Sequence, residues 1–375
     1  MKLLARHLGT FCLAVVVTLS APAVQAADPR FRVDVIGDSS TNTFAAGLNN
    51  LGQVVGTRYF DGESGAFLYD GGRVRQLQGL DPLAMVYAIN DHGQIAVSDI
   101  RVHSYYPGIY FDGQVRDLTP SDTTRRGAGL ATGLNAAGHA VGLVGSANPG
   151  GFFFDGQATT FLPRPGLGAR GFMSPTDISD RDVIVGNAYY SDSTTQAFAF
   201  LYARGTVTRI PGLQEGTLPS VFAVNNARQV VGWNYVPGLG QRAVLYSGGV
   251  TRDLGLLSGT GPDGNAAAED INNRGWIVGG VSSETTASAG FLYLDGRMLD
   301  LNDLLVPAAA QRFDVSEATR VNDKGQILAM GVAAGSALRY SLLLTPVPET
   351  QTWALMLCGL GAVAAVVRRR RPARV

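Results

Sequence analysis

One short pattern limits what this chain can fold into more than any other feature, because it returns about every 45 residues. The segment Leu48-Asn49-Asn50-Leu51-Gly52-Gln53-Val54-Val55-Gly56 comes back as Ile89-Asn90-Asp91-His92-Gly93-Gln94-Ile95. It comes back again as Leu134-Asn135-Ala136-Ala137-Gly138-His139-Ala140-Val141-Gly142. Looser copies start at Ile178-Ser179-Asp180 and Val224-Asn225-Asn226. Clear ones close the series at Ile271-Asn272-Asn273-Arg274-Gly275 and Val321-Asn322-Asp323-Lys324-Gly325-Gln326-Ile327. With the first polar residue as marker (49, 90, 135, 179, 225, 272, 322), the spacings are 41, 45, 44, 46, 47 and 50. A fixed period of this length means one supersecondary unit copied seven times, each copy burying its apolar face against the next.

Each marker reads as a hairpin turn. Asn and Asp suit tight turns, and a glycine three residues on supplies the positive φ that such a turn needs. Copies four and five carry Asp182 and Arg228 in place of that glycine, which predicts looser or differently bent hairpins. An aromatic-aliphatic run follows each marker, as in Ala66-Phe67-Leu68-Tyr69, Phe152-Phe153-Phe154 and Phe291-Leu292-Tyr293, then a second turn such as Asp112-Gly113. A short closing strand ends the unit, as in Val250-Thr251-Arg252-Asp253-Leu254. Sustained helical periodicity is missing, so each unit holds four short strands and helix is a minor component.

Four strands in each of seven units predict an all-β fold, a seven-bladed β-propeller. An open solenoid shares the same repeat. Closure is favoured by the ends: the seventh unit has a third strand at 337–344 and no fourth, while Phe31-Arg32-Val33-Asp34-Val35-Ile36 is a strand without a unit. Pairing the two closes the ring and leaves no exposed edge.

The two ends carry signals of their own. Lys2, Arg6 and His7, an apolar run from Leu8 to Leu19 and Val24-Gln25-Ala26 have the order of a signal peptide, a signal helix over 1–26 cleaved between Ala26 and Ala27. At the other end, residues 346–375 form a tail: Val347-Pro348-Glu349-Thr350, an apolar stretch over 353–367, then Arg368-Arg369-Arg370-Arg371. Fifteen residues rise only ~22 Å against a ~30 Å hydrocarbon core, a short transmembrane helix. The arginines stay on the cytoplasmic side, so the chain before Trp353 faces outward. The repeat domain spans 27–345, and a chain ending at Leu344 is expected to keep its thermal midpoint. The two cysteines, Cys12 and Cys358, fall in these end segments, so the domain between them has no disulfide and must be held by burial, for which a chain that is 46% hydrophobic has enough apolar residues. A formal net charge of zero removes any whole-molecule electrostatic case for nucleic acid.

The tail resembles the PEP-CTERM sorting signal of bacterial exosortase substrates, in which Val-Pro-Glu-Pro precedes a short apolar helix and an arginine cluster; Thr350 departs from it. The resemblance implies recognition by a membrane-embedded, exosortase-like sorting protease, cleavage near 347–350, and passage from the membrane to the cell surface or the extracellular space. The repeat unit resembles the HAF repeat of bacterial extracellular proteins over roughly 31–345. That resemblance implies an extracellular setting and brings no established activity.

Catalytic motifs are sparse. Gly166–Gly171 and Gly259–Gly264 match Gly-x-Gly-x-x-Gly, but neither opens a helix, and Pro262 removes a donor from the second. His92, His103 and His139 have no second ligand at metal-site spacing, and His92 and His139 read as solvated turn residues. The Asp112, Asp155 and Asp295 turns have no Asp-x-Asp ladder for calcium and read as turn chemistry. These observations predict no catalytic, cofactor or metal site. The expected function is that of a non-enzymatic exported surface or matrix protein binding polysaccharide or protein through its loops. The alternative is a glycan hydrolase or lyase using the rim acids Asp177, Glu269 and Asp270.

Overall fold

In the computed structural model the described residues are 28–348, apart from 39, 41–42, 61, 102–103, 121–127, 146–148, 169–170, 191–195, 262, 284–286 and 337. They form seven four-stranded sheets, all antiparallel. In six sheets the strands follow chain order. The seventh consists of Phe313–Val321, Ile327–Ala333 and Arg339–Val347, with the N-terminal strand Arg30–Asp38 added at its outer edge. Val33 pairs with Leu344 and Val35 with Leu342, so the expected closure between the two ends is present. The first strand of each sheet touches that of the next, and the seventh touches the first, which makes a closed seven-bladed propeller around an axial channel. The helical elements named among the described residues are Pro307–Ala310 and a 3-10 turn at Asn302–Leu304.

The hydrophobic core is divided among the blade interfaces. Val55, Leu68 and Leu77 of the first blade meet Val86, Ile95 and Val97 of the second. Val54, Phe67 and Tyr69 of the first blade meet Ile36, Leu328 and Leu343 of the last. Strands in such a ring are covered on both faces, which is why they read as nearly continuous apolar runs. The last glycine of the Val-Val-Gly pattern has its cause here. A Cβ on Gly56 would lie 2.1 Å from the Phe44 carbonyl oxygen and 2.7 Å from the Phe67 ring. Large and small residues are matched across the second and third strands: Gly56 faces Phe67, Gly142 faces Phe152, and Gly279 faces Phe291. In the second blade the sizes are exchanged, with Val97 opposite Gly108, and in the seventh Ala329 faces Leu342. Close packing is preserved by trading volume within each pair.

Two expectations change. The hairpins at Asp182 and Arg228 are not looser: with φ of 56° and 61° both residues take the conformation of the glycines they replace. Their N–H groups donate to Ser179 and Asn225 carbonyls at 3.0 Å, as Gly52 does to Asn49 at 3.1 Å. The surrounding sheet holds a left-handed residue that is unfavourable in isolation. The last strand also runs through Val347, so the first residue of the expected sorting motif belongs to the blade. The signal segment 1–26 with Ala26 and Ala27, the motif residues Glu349 and Thr350, the 353–367 stretch and Arg368 to Arg371 lie outside the described residues. No helix among those described is long and apolar enough to cross a membrane.

The closing register places Thr345, Pro346 and Val347 opposite Arg32, Phe31 and Arg30. A chain ending at Leu344 loses these three pairs and uncovers Phe31, which is fully buried. Calorimetry should place its Tm a few degrees below that of a chain ending at Pro348, on the order of 2 °C per kcal/mol for a domain of this size.

Candidate functional site

The seven marker turns gather around one mouth of the channel. There each marker asparagine does two jobs. The Oδ1 of Asn49 accepts the N–H groups of Leu51 (3.0 Å) and Gln53 (2.9 Å), which fixes its own turn. Its Nδ2 donates to Gln53 Oε1 at 2.8 Å and to the Asn90 carbonyl of the next blade at 3.1 Å. The side chain is buried with all its hydrogen-bonding capacity used. Asn90 donates in the same way to Asn135, Asn135 to Ser179, Asn225 to Asn272, Asn272 to Asn322, and Asn322 back to Asn49. The interface between blades four and five lacks this bond, because Ser179 has no amide and its hydroxyl only caps its own turn.

A second ring lies one residue on. The Asn50 N–H donates to Asp91 Oδ1 at 2.7 Å, Ala136 to Asp180 at 3.0 Å, Asp180 to Asn226 at 2.9 Å, Asn226 to Asn273 at 2.8 Å, Asn273 to Asp323 at 2.7 Å, and Asp323 to Asn50 at 2.8 Å. Its gap falls between blades two and three, where Ala136 offers no side-chain oxygen. Each blade interface therefore keeps at least one of the two bonds.

Below the mouth, every first strand carries a bulge that turns its residues toward the axis. Two positions before the marker stand Gly47, Ala88, Gly133, Asp177, Ala223, Asp270 and Arg320, so small residues fill one side of the channel and charges the other. The bulged residues include Tyr87, Phe222 and Glu269. All of these but Gly133 line a cavity of about 370 Å³. The structure thus brings Asp177, Glu269 and Asp270 together, on the channel wall and not at its rim. Asp177 Oδ2 accepts the Val224 N–H of the next blade at 2.8 Å. Asp270 accepts Val321 N–H of its neighbour and its own Ile271 N–H, both at 2.8 Å. Glu269 makes no such bond. Burial pushes Asp177 up to about 7, helped by Asp270 and opposed by the Val224 N–H. Burial likewise raises Glu269 to about 7, with Glu317 adding to the rise and Arg320 opposing it. Asp270 is raised by burial as well.

The other candidates are dispersed. His92 is an exposed turn residue. His139 is not merely solvated: its Nδ1 lies 2.8 Å from Asp182 Oδ1, and its ring meets Phe153 edge-on at 6.0 Å. Asp182 also accepts the Asn135 amide at 2.9 Å, serving where other blades use a glutamine. His103 lies outside the described residues. Asp112 and Asp295 sit at hairpin tips with φ of 48° and 51°, each followed by a left-handed glycine, and Asp155 caps Gln157 and Ala158. Among the described residues no group of three His, Cys, Asp or Glu side chains is placed to hold a metal ion. The asparagine ring and the charged column escaped the reading of the sequence, since a turn explains the asparagines locally. Aligning the seven repeats at the position two before the marker exposes the column.

No protein-family model and no curated protein matches the chain. Solved structures share the fold. A prolyl endopeptidase is 12% identical with a TM-score of 0.51, over 80% of this chain and 46% of that one. YCF48 from Cyanidioschyzon merolae is 10% identical with a TM-score of 0.51, over 84% of this chain and 99% of that one. This chain thus spans less than half of the endopeptidase, and at these identities the likeness concerns the fold alone.

Two measurements check the site. Ser179→Asn should restore the missing amide and raise Tm by about 2 °C, while Asn90→Ala should destabilise by about 3 kcal/mol, because it removes the bond to the Asn135 carbonyl and the acceptor of the His92 and Gln94 N–H groups. Because the Glu269 carboxyl is raised from its ordinary 4.5 to about 7, the folded chain holds a proton that the unfolded chain has released. Its contribution is fully present below pH 4.5 and is lost as pH rises through about 7. Glu269→Gln should match the native Tm near pH 4.5 and exceed it above pH 7. An unchanged difference across that window would contradict the assignment.

Proposed function

We propose that the protein is exported, held in the membrane by its C-terminal tail, and cut near Val347 to Thr350 by an exosortase-like sorting protease. Outside the cell it serves as a non-enzymatic binding scaffold for polysaccharide or a surface protein. The export half rests on the order of residues at the two ends and on the resemblance to PEP-CTERM tails and HAF repeats. The non-enzymatic half rests chiefly on one observation: two of the three candidate acid/base carboxyls, Asp177 and Asp270, already accept backbone N–H groups from the neighbouring blade. They hold blades together, and one glutamate alone does not make the pair that glycoside hydrolysis uses.

Where the chain leaves the ring agrees with anchoring. Thr345 lies against Gln326 of a marker turn, so Val347 departs on the marker side, beside the incoming strand that begins at Arg30. Only five residues separate Val347 from Trp353, a reach of at most ~20 Å. In the anchored form the marker face is turned to the membrane and the opposite face outward.

The second reading, a glycan hydrolase or lyase, is favoured by carboxyls poised near neutrality, as a general acid requires. Polysaccharide cleavage abolished by Glu269→Gln would establish it.

In the source cell, replacing Pro348 and Glu349 with alanine should leave the protein membrane-retained and uncut. Mass spectrometry of secreted protein should find no peptide from 353–375. Secreted material that still contains Trp353 through Val375 would overturn the sorting assignment.

A further inference from the structure

The axial cavity is not fully accounted for by the needs of ring closure. Asp177 and Asp270 staple blades, but among the described residues Glu269 has neither a hydrogen bond nor an ion pair. Arg320 is the one cation on this wall. Its Nη1 donates to the Thr319 carbonyl at 2.6 Å, and among the described residues no ion pair joins it to the three carboxyls. Three carboxyls therefore line the cavity with one guanidinium, which favours the ionised form of each without an ion pair to any of them among the described residues. Tyr87 and Phe222 are only half-buried and stand in the same wall, an arrangement that leaves aromatic surface open to the cavity. Aromatic surface beside carboxyls that ionise near neutrality favours a cation and disfavours an anion.

Glu269 belongs to a second hollow as well. On the face opposite the marker turns, a groove of about 340 Å³ between blades six and seven is lined by Gln241, Asn265, Ser282, Ser288, Glu317 and Arg339, with Glu269 at its inner end. The groove is polar and suits a hydroxyl-rich chain, and it shares the Glu269 side chain with the acidic cavity.

We infer that the axial cavity and this groove form one binding site for a ligand bearing a protonated primary amine, with a saccharide containing free amino groups as the ligand that fills both parts. The amine sits against Glu269 between the rings of Tyr87 and Phe222, while the sugar hydroxyls meet the amides and hydroxyls of the groove. Asp177, Asp270, Glu317 and Asp323 reinforce the attraction; Arg320 and Arg339 oppose it. The inference rests on the reading of the protein as an exported binding protein. It narrows the ligand to a cationic one, and a bound cation would favour the ionised form of Glu269 and release its proton.

Calorimetric titration of the full chain in detergent tests this with three probes: a glucosamine oligomer with free amines, its N-acetylated counterpart, and spermidine. The free-amine oligomer and spermidine should bind, and the acetylated oligomer should bind at least about tenfold more weakly. Spermidine stays charged between about pH 5.5 and 7.5, so its affinity should rise several-fold across that interval as Glu269 ionises. Glu269→Gln should reduce spermidine affinity about tenfold and flatten the pH dependence, and Phe222→Ala should weaken binding at unchanged Tm. Equal binding of both oligomers would overturn the amine assignment and leave the scaffold reading intact. So would spermidine affinity indifferent to Glu269→Gln. Binding of spermidine without the free-amine oligomer would retain the amine site and reject the saccharide as its source.

Discussion

The hydrogen bond from a buried asparagine amide to the carbonyl of the next blade is the contact on which the ring depends. The apolar layers between blades supply most of the cohesion, but burial is non-directional and changes little if one sheet slides against its neighbour. An amide that must reach a particular carbonyl at about 3 Å tolerates no such slide. Each marker asparagine fixes its own turn through Oδ1 and its neighbour's height through Nδ2. The position of each blade but the fifth along the axis is thereby set by the blade before it, and the seventh returns the constraint to the first through Asn322 and Asn49.

Departures from the repeat are compensated locally. Where His139 replaces the glutamine that would receive the Asn135 amide, Asp182 of the next blade receives it and also pairs with the imidazole. That explains an aspartate in a left-handed position better suited to glycine. Where Ser179 leaves the fourth interface without its amide bond, Asp177 reaches across to the Val224 N–H, and Asn187 meets both the N–H and the carbonyl of Val221. This interface, which lacks its amide bond at the mouth, is thus held as well by Asp177 on the channel wall and by Asn187 on the second strand of its blade.

Blade number, strand number and closure were legible in the sequence because each follows from local signals: the spacing of the markers, the alternation of turns and apolar runs, and a strand without a unit at one end facing a unit without its fourth strand at the other. The contact that matters most was hidden by its economy. Asn49 has a sufficient local explanation as a turn residue, so nothing in the chain around it announces a partner 41 residues away. The expected loosening at Asp182 and Arg228 failed for a related reason: a glycine preference is an average over contexts, and here the flanking strands impose the conformation. The acids at 177, 269 and 270 were recognisable as residue types. Their convergence depends on bulges and on ring closure, which no single repeat contains.

The charges of the channel sit where the repeat itself needs none. At the position two before the marker, four of seven blades use glycine or alanine, and a Cβ added at Gly47 or Gly133 would lie about 3 Å from the backbone of the next blade, so a minimal side chain suffices for closure. Asp177 and Asp270 add bonds there, but at the expense of placing carboxyls in surroundings that raise both of them. Glu269 adds a third carboxyl with no structural bond in return. A scaffold selected for stability alone would fill these positions with the residues its other blades already use. The symmetric part of the sequence therefore accounts for the ring, and its asymmetric part, concentrated in blades four, six and seven, accounts for a site that a ligand can recognise.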